Sequence, residues 1–212
     1  MIPRPLQAIW VAALLVAGSS ARAEDAGPAW RLGLGASYGT QRTFPYGNRN
    51  YLHDDTGYKL LANRTLWAAG TWSLELQLEP SVYVVRHRLL NLYFVGPSHG
   101  PDYLAQRARF LRGESYEEYA LNLGLVGRYR LTQVMSLFVL ASAGPMWSEA
   151  ATERLARGFA FSDIVAVGVG YRIRGALLEV RPGLRHESNA DLQLPNSGHN
   201  TTTLDLAVSF GR

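Results

Sequence analysis

Alternation of apolar and polar side chains over segments of about ten residues is the feature that most constrains the fold of this chain. The clearest segments run from Trp30 to Tyr38, Trp72 to Val84, Tyr119 to Tyr129 and Val165 to Ile173. Successive side chains of a β-strand point to opposite faces, so each segment predicts a strand with one apolar and one polar face. The pattern is typical of the strands of a membrane β-barrel.

The C-terminal segment predicts a hairpin whose strands cover residues 176–188 and 200–210. In the first strand, alternation places His186 and Ser188 at the end of an apolar face that begins at Ala176. In the second strand, Asn200 shares a face with Leu204, Leu206, Val208 and Phe210. The hairpin can therefore bring His186, Ser188 and Asn200 together at the rim of an apolar surface, which suggests a hydrolytic site facing lipid.

Two more strands are expected over residues 58–68 and 136–147, although their apolar residues fall on both phases and leave their faces unassigned. Short connections near 69–71, 132–135 and 174–175 alternate with long ones near 40–57, 87–115, 148–158 and 189–199. This asymmetry is typical of outer-membrane barrels, which have short periplasmic turns and longer external loops. We therefore expect an all-β, eight-stranded antiparallel transmembrane β-barrel with the hairpin tip between residues 186 and 200 outside the cell.

The polar faces carry both signs of charge, which predicts a paired plug inside the barrel rather than a channel. The basic residues are Arg31, Arg128, Arg130, Arg172, Arg181 and Arg185, and the acidic residues are Glu75, Glu79, Glu118, Glu179 and Asp205. The apolar faces carry aromatic side chains at both ends, as in the two aromatic girdles of membrane barrels. One expected girdle contains Trp30, Trp72, Tyr129, Tyr171 and Phe210, and the other contains Tyr38 and Tyr119.

Residues 1–23 have the pattern of a cleaved signal peptide: Arg4, an apolar run from Ala8 to Gly18, and small residues around Arg22. The expected mature chain, residues 24–212, is a single barrel domain without a linker or low-complexity tract. Removing Arg4 and Arg22 lowers the formal net charge from +4 to +2, so nucleic acid is not implied as a partner. The absence of cysteine excludes disulfides and thiolate metal sites.

The final stretch contains His186-Glu187-Ser188-Asn189-Ala190 followed by Pro195-Asn196, Gly198 and Asn200. This stretch resembles the signature of the lipid A 3-O-deacylase family of outer-membrane barrels, and weaker matches lie at Leu74–Leu76, Glu79-Pro80 and Gly158–Ser162. It implies an esterase that removes the 3-O-linked acyl chain of lipid A in the outer leaflet and so remodels lipopolysaccharide. In this family, Ser188 is the expected nucleophile and His186 the expected general base, and no cofactor is implied.

The sequence departs from the family pattern at Asn200, where an acidic residue is expected. An amide oxygen can orient the imidazole but contributes no charge, whereas replacing the acid by its amide in a serine protease lowers kcat by ~10⁴. The alternative function is therefore a non-catalytic outer-membrane barrel of the same fold with a degenerate site. Asn189 and Asn196 are candidate oxyanion or substrate-binding donors. Capping of the loop beside Pro195 and Gly198 is the simpler explanation of both, and the resemblance outweighs it only for Asn196.

The external loop contains Arg107, Arg109 and Arg112, which are candidates for binding the phosphates of lipid A. The alternative is that these side chains only solvate a long loop. The five histidines His53, His87, His99, His186 and His199 are scattered along the sequence without regular metal-ligand spacing, so we expect no metal site. The sequence leaves open whether two barrels form a homodimer.

Overall fold

The computed structural model describes residues 30–211, which form a closed barrel of eight antiparallel strands in sequential order. The strands are β1 (Trp30–Thr40), β2 (Tyr51–Ala69), β3 (Trp72–Leu89), β4 (Glu114–Arg130), β5 (Met135–Ser148), β6 (Gly158–Ile173), β7 (Ala176–Ser188) and β8 (His199–Gly211). Pairing of β1 with β8 closes the ring, so every strand has two neighbours. The predicted fold class is confirmed, whereas the predicted signal peptide lies outside the described residues.

Several strands extend further than the alternation indicated toward the end of the barrel with the long connections, which is called the external end after the orientation expected from the sequence. β2 begins at Tyr51, β3 continues to Leu89 and β4 begins at Glu114, so the connection between β3 and β4 is shorter than expected. This connection is not a plain loop, because it contains a 3-10 turn at Pro97–His99 and the helix α1 at Tyr103–Arg112. None of the helices within residues 30–211 is long and apolar enough to cross a bilayer.

Helix α1 packs over the mouth of the barrel through its one buried residue, Phe110. The Phe110 side chain lies in a cluster with Tyr51, Leu89 and Val95. Burial of these apolar side chains removes them from water and holds the helix against the external ends of β2 and β3. The β3–β4 connection therefore covers part of the lumen.

The faces of the strands follow the predicted alternation, and the structure also assigns the two unassigned strands. In β2, Tyr58 and Leu60 face outward, whereas Lys59 points into the barrel. In β5, Leu137 and Val139 face outward, whereas Phe138 and Leu140 are buried. These inward apolar side chains pack with Val126 and Ala166. Alternation had predicted a uniformly polar interior, whereas the interior contains both polar and apolar side chains.

The middle of the lumen contains a balanced network of buried ion pairs, as the sequence predicted. Four basic and four acidic residues contribute to it: Arg31, Lys59, Arg128 and Arg181 with Glu75, Glu79, Glu179 and Asp205. The Lys59 Nζ atom lies 2.9 Å from Glu79 Oε1 and 2.5 Å from Asp205 Oδ2. Arg130 and Arg172 were wrongly assigned to this network, because both are exposed near the short turns.

Candidate functional site

His186, Ser188 and Asn200 lie on the outward face of the barrel at the external ends of β7 and β8. All three side chains are half-buried, and each is flanked by residues that point into the lumen. His186 and Asn200 are directly paired across the two strands, and the His186 Nδ1 atom lies 2.8 Å from Asn200 Oδ1. Because an amide oxygen can only accept, this contact places the proton of a neutral His186 on Nδ1 and leaves Nε2 available as a base.

Ser188 lies two residues after His186 in β7. In the part of the chain that the structure describes, the side-chain hydrogen bond of His186 goes to Asn200 and not to Ser188. Positions two residues apart on one face of a strand are separated by ~6.5 Å. The two side chains must therefore turn toward each other to form a hydrogen bond. In many enzymes, catalytic hydrogen bonds are long in the ligand-free site and shorten only when the substrate binds. Across the β6–β7 pair, Ser188 is opposite Phe161, whose ring makes an edge contact with Phe159 at 5.1 Å between centroids.

Asp163 is an acidic neighbour of His186 that the sequence analysis missed. It lies in β6 directly opposite His186, on the strand that borders β7 on the side away from β8, and it is half-buried. The Cβ atoms of directly opposed residues in antiparallel strands are ~5 Å apart. His186 thus lies between an amide on one strand and a carboxylate on the other. The outward parity of β6 could have revealed Asp163, but the two residues are separated in sequence and only the strand register pairs them.

The Glu187 carboxylate faces the lumen, because Glu187 alternates with the outward His186 and Ser188 in β7. It lies 2.5 Å from Arg185 Nη1 and is fully buried. It is therefore not available to replace the missing acid at the outward site.

The side chains of Asn189 and Asn196 brace the loop between β7 and β8. Asn196 Oδ1 accepts a hydrogen bond from the Asn189 backbone N–H at 2.7 Å, and Asn196 Nδ2 donates to Asp191 at 2.9 Å. Asn189 Nδ2 donates to the Gln193 carbonyl at 2.9 Å, and this side chain is fully buried. These contacts favour the loop-capping explanation for Asn189, whereas the half-buried Asn196 amide keeps a second hydrogen.

Arg154, in the connection between β5 and β6, ties its loop to the β7–β8 loop. Its guanidinium donates to the Gly198 carbonyl at 2.6 Å and to the Ser197 carbonyl at 2.8 Å. The Ser197 and Gly198 backbone N–H groups in turn donate to the Arg154 carbonyl. Gly198 has a φ of +65°, and a side chain there would collide with the Glu187 carbonyl and press on the His186 ring. Both residues therefore fix the loop next to His186.

The three candidate phosphate-binding residues lie in α1, in the β3–β4 connection. This connection is halfway round the ring of strands from the β7–β8 hairpin. Arg107 donates two hydrogen bonds to the Val95 carbonyl, and Arg109 lies 3.4 Å from Glu114. Arg112 is exposed. The structure therefore does not bring these residues to His186 and Ser188, and it engages Arg107 within its own loop.

Three of the five histidines do converge, although not at the outward site. His53, His87 and His199 are buried inside the external end of the lumen, with one ligand nitrogen from each within 4.8 Å of the others. Sequence spacing did not reveal the cluster because the residues come from β2, β3 and β8. Three imidazoles are a suitable donor set for a divalent transition metal.

Comparisons with known proteins agree with this architecture. The sequence model of the family "Lipid A 3-O-deacylase (PagL)" matches residues 57–209. No curated protein matches the sequence significantly.

Among solved structures, the outer-membrane enzyme PagL is similar with a TM-score of 0.53 and 16% identity, covering 82% of this chain and 97% of that chain. The outer-membrane protein OprG from Pseudomonas aeruginosa has a TM-score of 0.39 and 10% identity, covering 87% of this chain and 93% of that chain. Because the family model covers most of the barrel, and the fold agrees, the chain belongs to the lipid A 3-O-deacylase family and is a β-barrel of the bacterial outer membrane.

Proposed function

We propose that this protein hydrolyses the ester that links the 3-O acyl chain to lipid A, with Ser188 as nucleophile and His186 as general base. The observation that carries the proposal is the 2.8 Å contact between His186 Nδ1 and Asn200 Oδ1 on the outward face. It orients the imidazole beside a serine at the external end of a lipid-facing strand. Lipid A occupies the outer leaflet, so its ester linkages lie near this depth.

In the proposed first step, His186 Nε2 accepts the proton of Ser188 Oγ as the oxygen attacks the ester carbonyl carbon. A serine hydroxyl is a poor nucleophile until a neighbouring base accepts its proton. When the tetrahedral intermediate collapses, the bond to the sugar oxygen breaks and His186 returns the proton to that oxygen. Water, deprotonated by His186, then attacks the acyl-Ser188 ester. The bond to Ser188 Oγ breaks, His186 returns the proton to that oxygen, and the fatty acid leaves.

Two neighbours stabilise His186 during proton transfer. Asn200 accepts the Nδ1 hydrogen and fixes the tautomer, and Asp163 supplies the negative charge that Asn200 lacks. In a serine protease triad, one carboxylate both fixes the tautomer of the histidine and supplies the negative charge. Here these two tasks are divided between an amide and a carboxylate. The departure at Asn200 is therefore compatible with activity, because the acid acts from the neighbouring strand.

Other side chains near the hairpin and in α1 are proposed to bind particular parts of the substrate. Asn196 supplies an N–H to the oxyanion through its second amide hydrogen, whereas Asn189 holds the loop. Phe161 and Phe159, beside Ser188 on the outward face, bind the apolar part of the acyl chain. Arg109 and Arg112 remain candidates for contact with lipid phosphates, and their distance along the ring implies an effect on substrate capture rather than on the chemical step.

The proposal is tested by mass spectrometry of lipid A from cells that express the protein or its Ser188→Ala variant at equal levels in the membrane. The expected result is loss of one 3-hydroxyacyl group with the first and unchanged lipid A with the second. A matched control is Ser115→Ala, an exposed serine of β4 that lies away from the hairpin and should leave activity intact.

The competing function, a non-catalytic barrel, predicts identical lipid A from all strains. This alternative derives its support from the missing acid at position 200 and from the missing hydrogen bond between Ser188 and His186. A second assay with purified protein in detergent micelles and added lipid A separates lack of activity from lack of access to substrate. Association of barrels as a homodimer stays a prediction.

A further inference from the structure

The external end of the lumen has a different charge balance from the middle. In the middle, four buried cations face four buried carboxylates. At the external end, three buried carboxylates surround a single guanidinium within residues 30–211, that of Arg185. Arg185 lies 2.9 Å from Glu118, 2.5 Å from Glu187 and 3.9 Å from Asp55. Glu153 adds a fourth buried carboxylate, which contacts the imidazole of His87 rather than an arginine or lysine. The layer therefore has a deficit of positive charge.

Burial makes this deficit costly. Asp55, Glu118, Glu153 and Glu187 are each at most 5% exposed. Both oxygens of Asp55, and one oxygen of Glu118 and of Glu153, are buried without a hydrogen-bond partner, whereas Glu187 is paired with Arg185. Buried charges are stable in proteins when they are paired or bind a cation. A further cation within the layer would compensate these carboxylates.

The three histidines of this layer are arranged as ligands of such a cation. His53 and His87 are directly paired across β2 and β3, with their Nδ1 atoms 3.2 Å apart. Two nitrogens bound to one tetrahedral Zn²⁺ at ~2.0–2.1 Å are ~3.4 Å apart. The observed separation is therefore close to that of two ligands of one ion. A hydrogen bond between two neutral rings would explain this pair alone, but it leaves the buried His199 Nδ1 without a partner.

The outer nitrogens of the same rings face groups of the kind that orient metal-bound histidines. His87 Nε2 lies 2.7 Å from Glu153, His199 Nε2 lies 2.9 Å from the Thr152 hydroxyl, and His53 Nε2 lies 3.6 Å from Glu187. A carboxylate or hydroxyl on one nitrogen fixes the ring and leaves the other nitrogen for the metal. The Nδ1 atoms of His53 and His87 thus face each other, and Nδ1 is the His199 nitrogen without a partner. The Thr152 hydroxyl accepts from the Arg154 and Leu155 N–H groups and donates to His199 Nε2, so an ion at Nδ1 requires the His199 proton to move to Nε2 and the hydroxyl to turn.

We propose that His53, His87 and His199 bind one divalent transition-metal ion, Zn²⁺ or an ion of the same preference, through their Nδ1 atoms. Water fills the fourth position. The His53 and His199 rings are stacked with centroids 3.9 Å apart, so one of them turns when the ion binds. Imidazole nitrogen suits Zn²⁺, Cu²⁺ and Ni²⁺ and disfavours Ca²⁺ and Mg²⁺, which bind oxygen ligands.

The proposed ion has a positioning role, since it lies on the lumen side of the wall that carries His186 on its outer side. His199 precedes Asn200, and Glu187 lies between His186 and Ser188, so two residues of the metal layer are chain neighbours of the outward site. The ion would join β2, β3 and β8 directly, and β7 and the β5–β6 loop through Glu187 and Glu153. Binding would rigidify the external end of the barrel.

The test uses the mature barrel, refolded in detergent without an affinity tag and stripped with a chelator. Titration with Zn²⁺ followed by calorimetry should give one site per barrel, and Co²⁺ should produce the intense visible absorption of a four-coordinate nitrogen site. Absence of a stoichiometric site in the folded wild-type barrel, or the weak absorption of six-coordinate Co²⁺, would overturn the proposal.

Variants locate the site. His199→Asn and His87→Asn should lose binding, and Glu153→Gln should weaken it by ~10- to ~100-fold because an outer partner is removed. His99→Asn changes an exposed histidine outside the cluster and should bind as the wild type does. Folding of each variant is checked by the heat-dependent gel mobility of the barrel. Retention of wild-type affinity by folded His87→Asn and His199→Asn would show that the ion binds elsewhere and contradict the assignment.

Discussion

Replacing Asp163 with asparagine removes one negative charge beside His186 and leaves the size of the side chain unchanged. If the two charges are as far apart as the Cβ atoms of an opposed pair, ~5 Å, a unit charge on Asp163 contributes ~3 kcal/mol to the imidazolium at an effective dielectric constant of ~20. Asp163 is half-buried, and screening by water reduces this value to ~1–3 kcal/mol. Since ~1.4 kcal/mol corresponds to tenfold in rate, Asp163→Asn should lower kcat by ~10- to ~100-fold. The affinity for lipid A should change little.

The assay measures release of 3-hydroxy fatty acid from lipid A in detergent micelles at saturating substrate. Glu117→Gln is the matched control, because Glu117 is an exposed carboxylate of β4, on the other side of the ring from the site. Asn200→Glu provides the second arm: with a carboxylate at position 200, kcat should rise, and a subsequent Asp163→Asn change should cost less than in the wild type. Coupled residues of this kind give non-additive effects.

Asp163 does not assist His186 if Asp163→Asn turns over lipid A at the wild-type rate both with Asn200 and with Glu at position 200. Equal losses in the two backgrounds would also contradict this role, because they would mean that the two positions do not share one task.

Three further predictions concern the support of the site and the lumen. Arg154→Gln should release the β7–β8 loop from two carbonyl contacts and lower kcat in the micelle assay, whereas unchanged kcat would show that the loop holds itself. Gly198→Ala should reduce activity more than Gly47→Ala, because only Gly198 contacts the His186 strand, and equal effects would refute this explanation. Lys59→Met leaves Arg181 as the single cationic partner of Glu79 and Asp205 within the described residues. The free energy of unfolding in detergent, measured by tryptophan fluorescence in denaturant, should fall by ~3–5 kcal/mol. A loss below ~1 kcal/mol would contradict a paired plug.

Alternation was sufficient to predict the barrel, because a lipid-facing strand must place apolar side chains on one face and the closed ring leaves no strand edge in the membrane. Alternation did not determine which faces of β2 and β5 point outward, because both strands also place apolar side chains in the lumen. Phe138 and Leu140 pack inside the barrel, so both faces of β5 are apolar and periodicity carries no phase. Helix α1 was missed because its residues lie in a long connection between strands and only Phe110 is buried.

The outward pair of His186 and Asn200 was predictable because both residues belong to one hairpin. Asp163 was not found because its relation to His186 depends on the register of β6 against β7, which alternation does not determine. The same limit explains the histidine cluster: β2, β3 and β8 bring His53, His87 and His199 together only when the sheet closes on itself. The charge count of the polar faces also omitted Asp55, Glu153 and Glu187, so the barrel interior as a whole was predicted to be nearly balanced and the acidic external layer was not seen.

The most direct test of the outward site is covalent labelling with a lipid-like phosphonate that reacts with activated serines, followed by peptide mass spectrometry. The account predicts one adduct, on Ser188, that is lost in His186→Ala and slowed in Asp163→Asn. Labelling of another serine, or labelling of Ser188 that is unaffected by His186→Ala, would contradict the claim that His186 activates Ser188 on the lipid-facing side of the barrel.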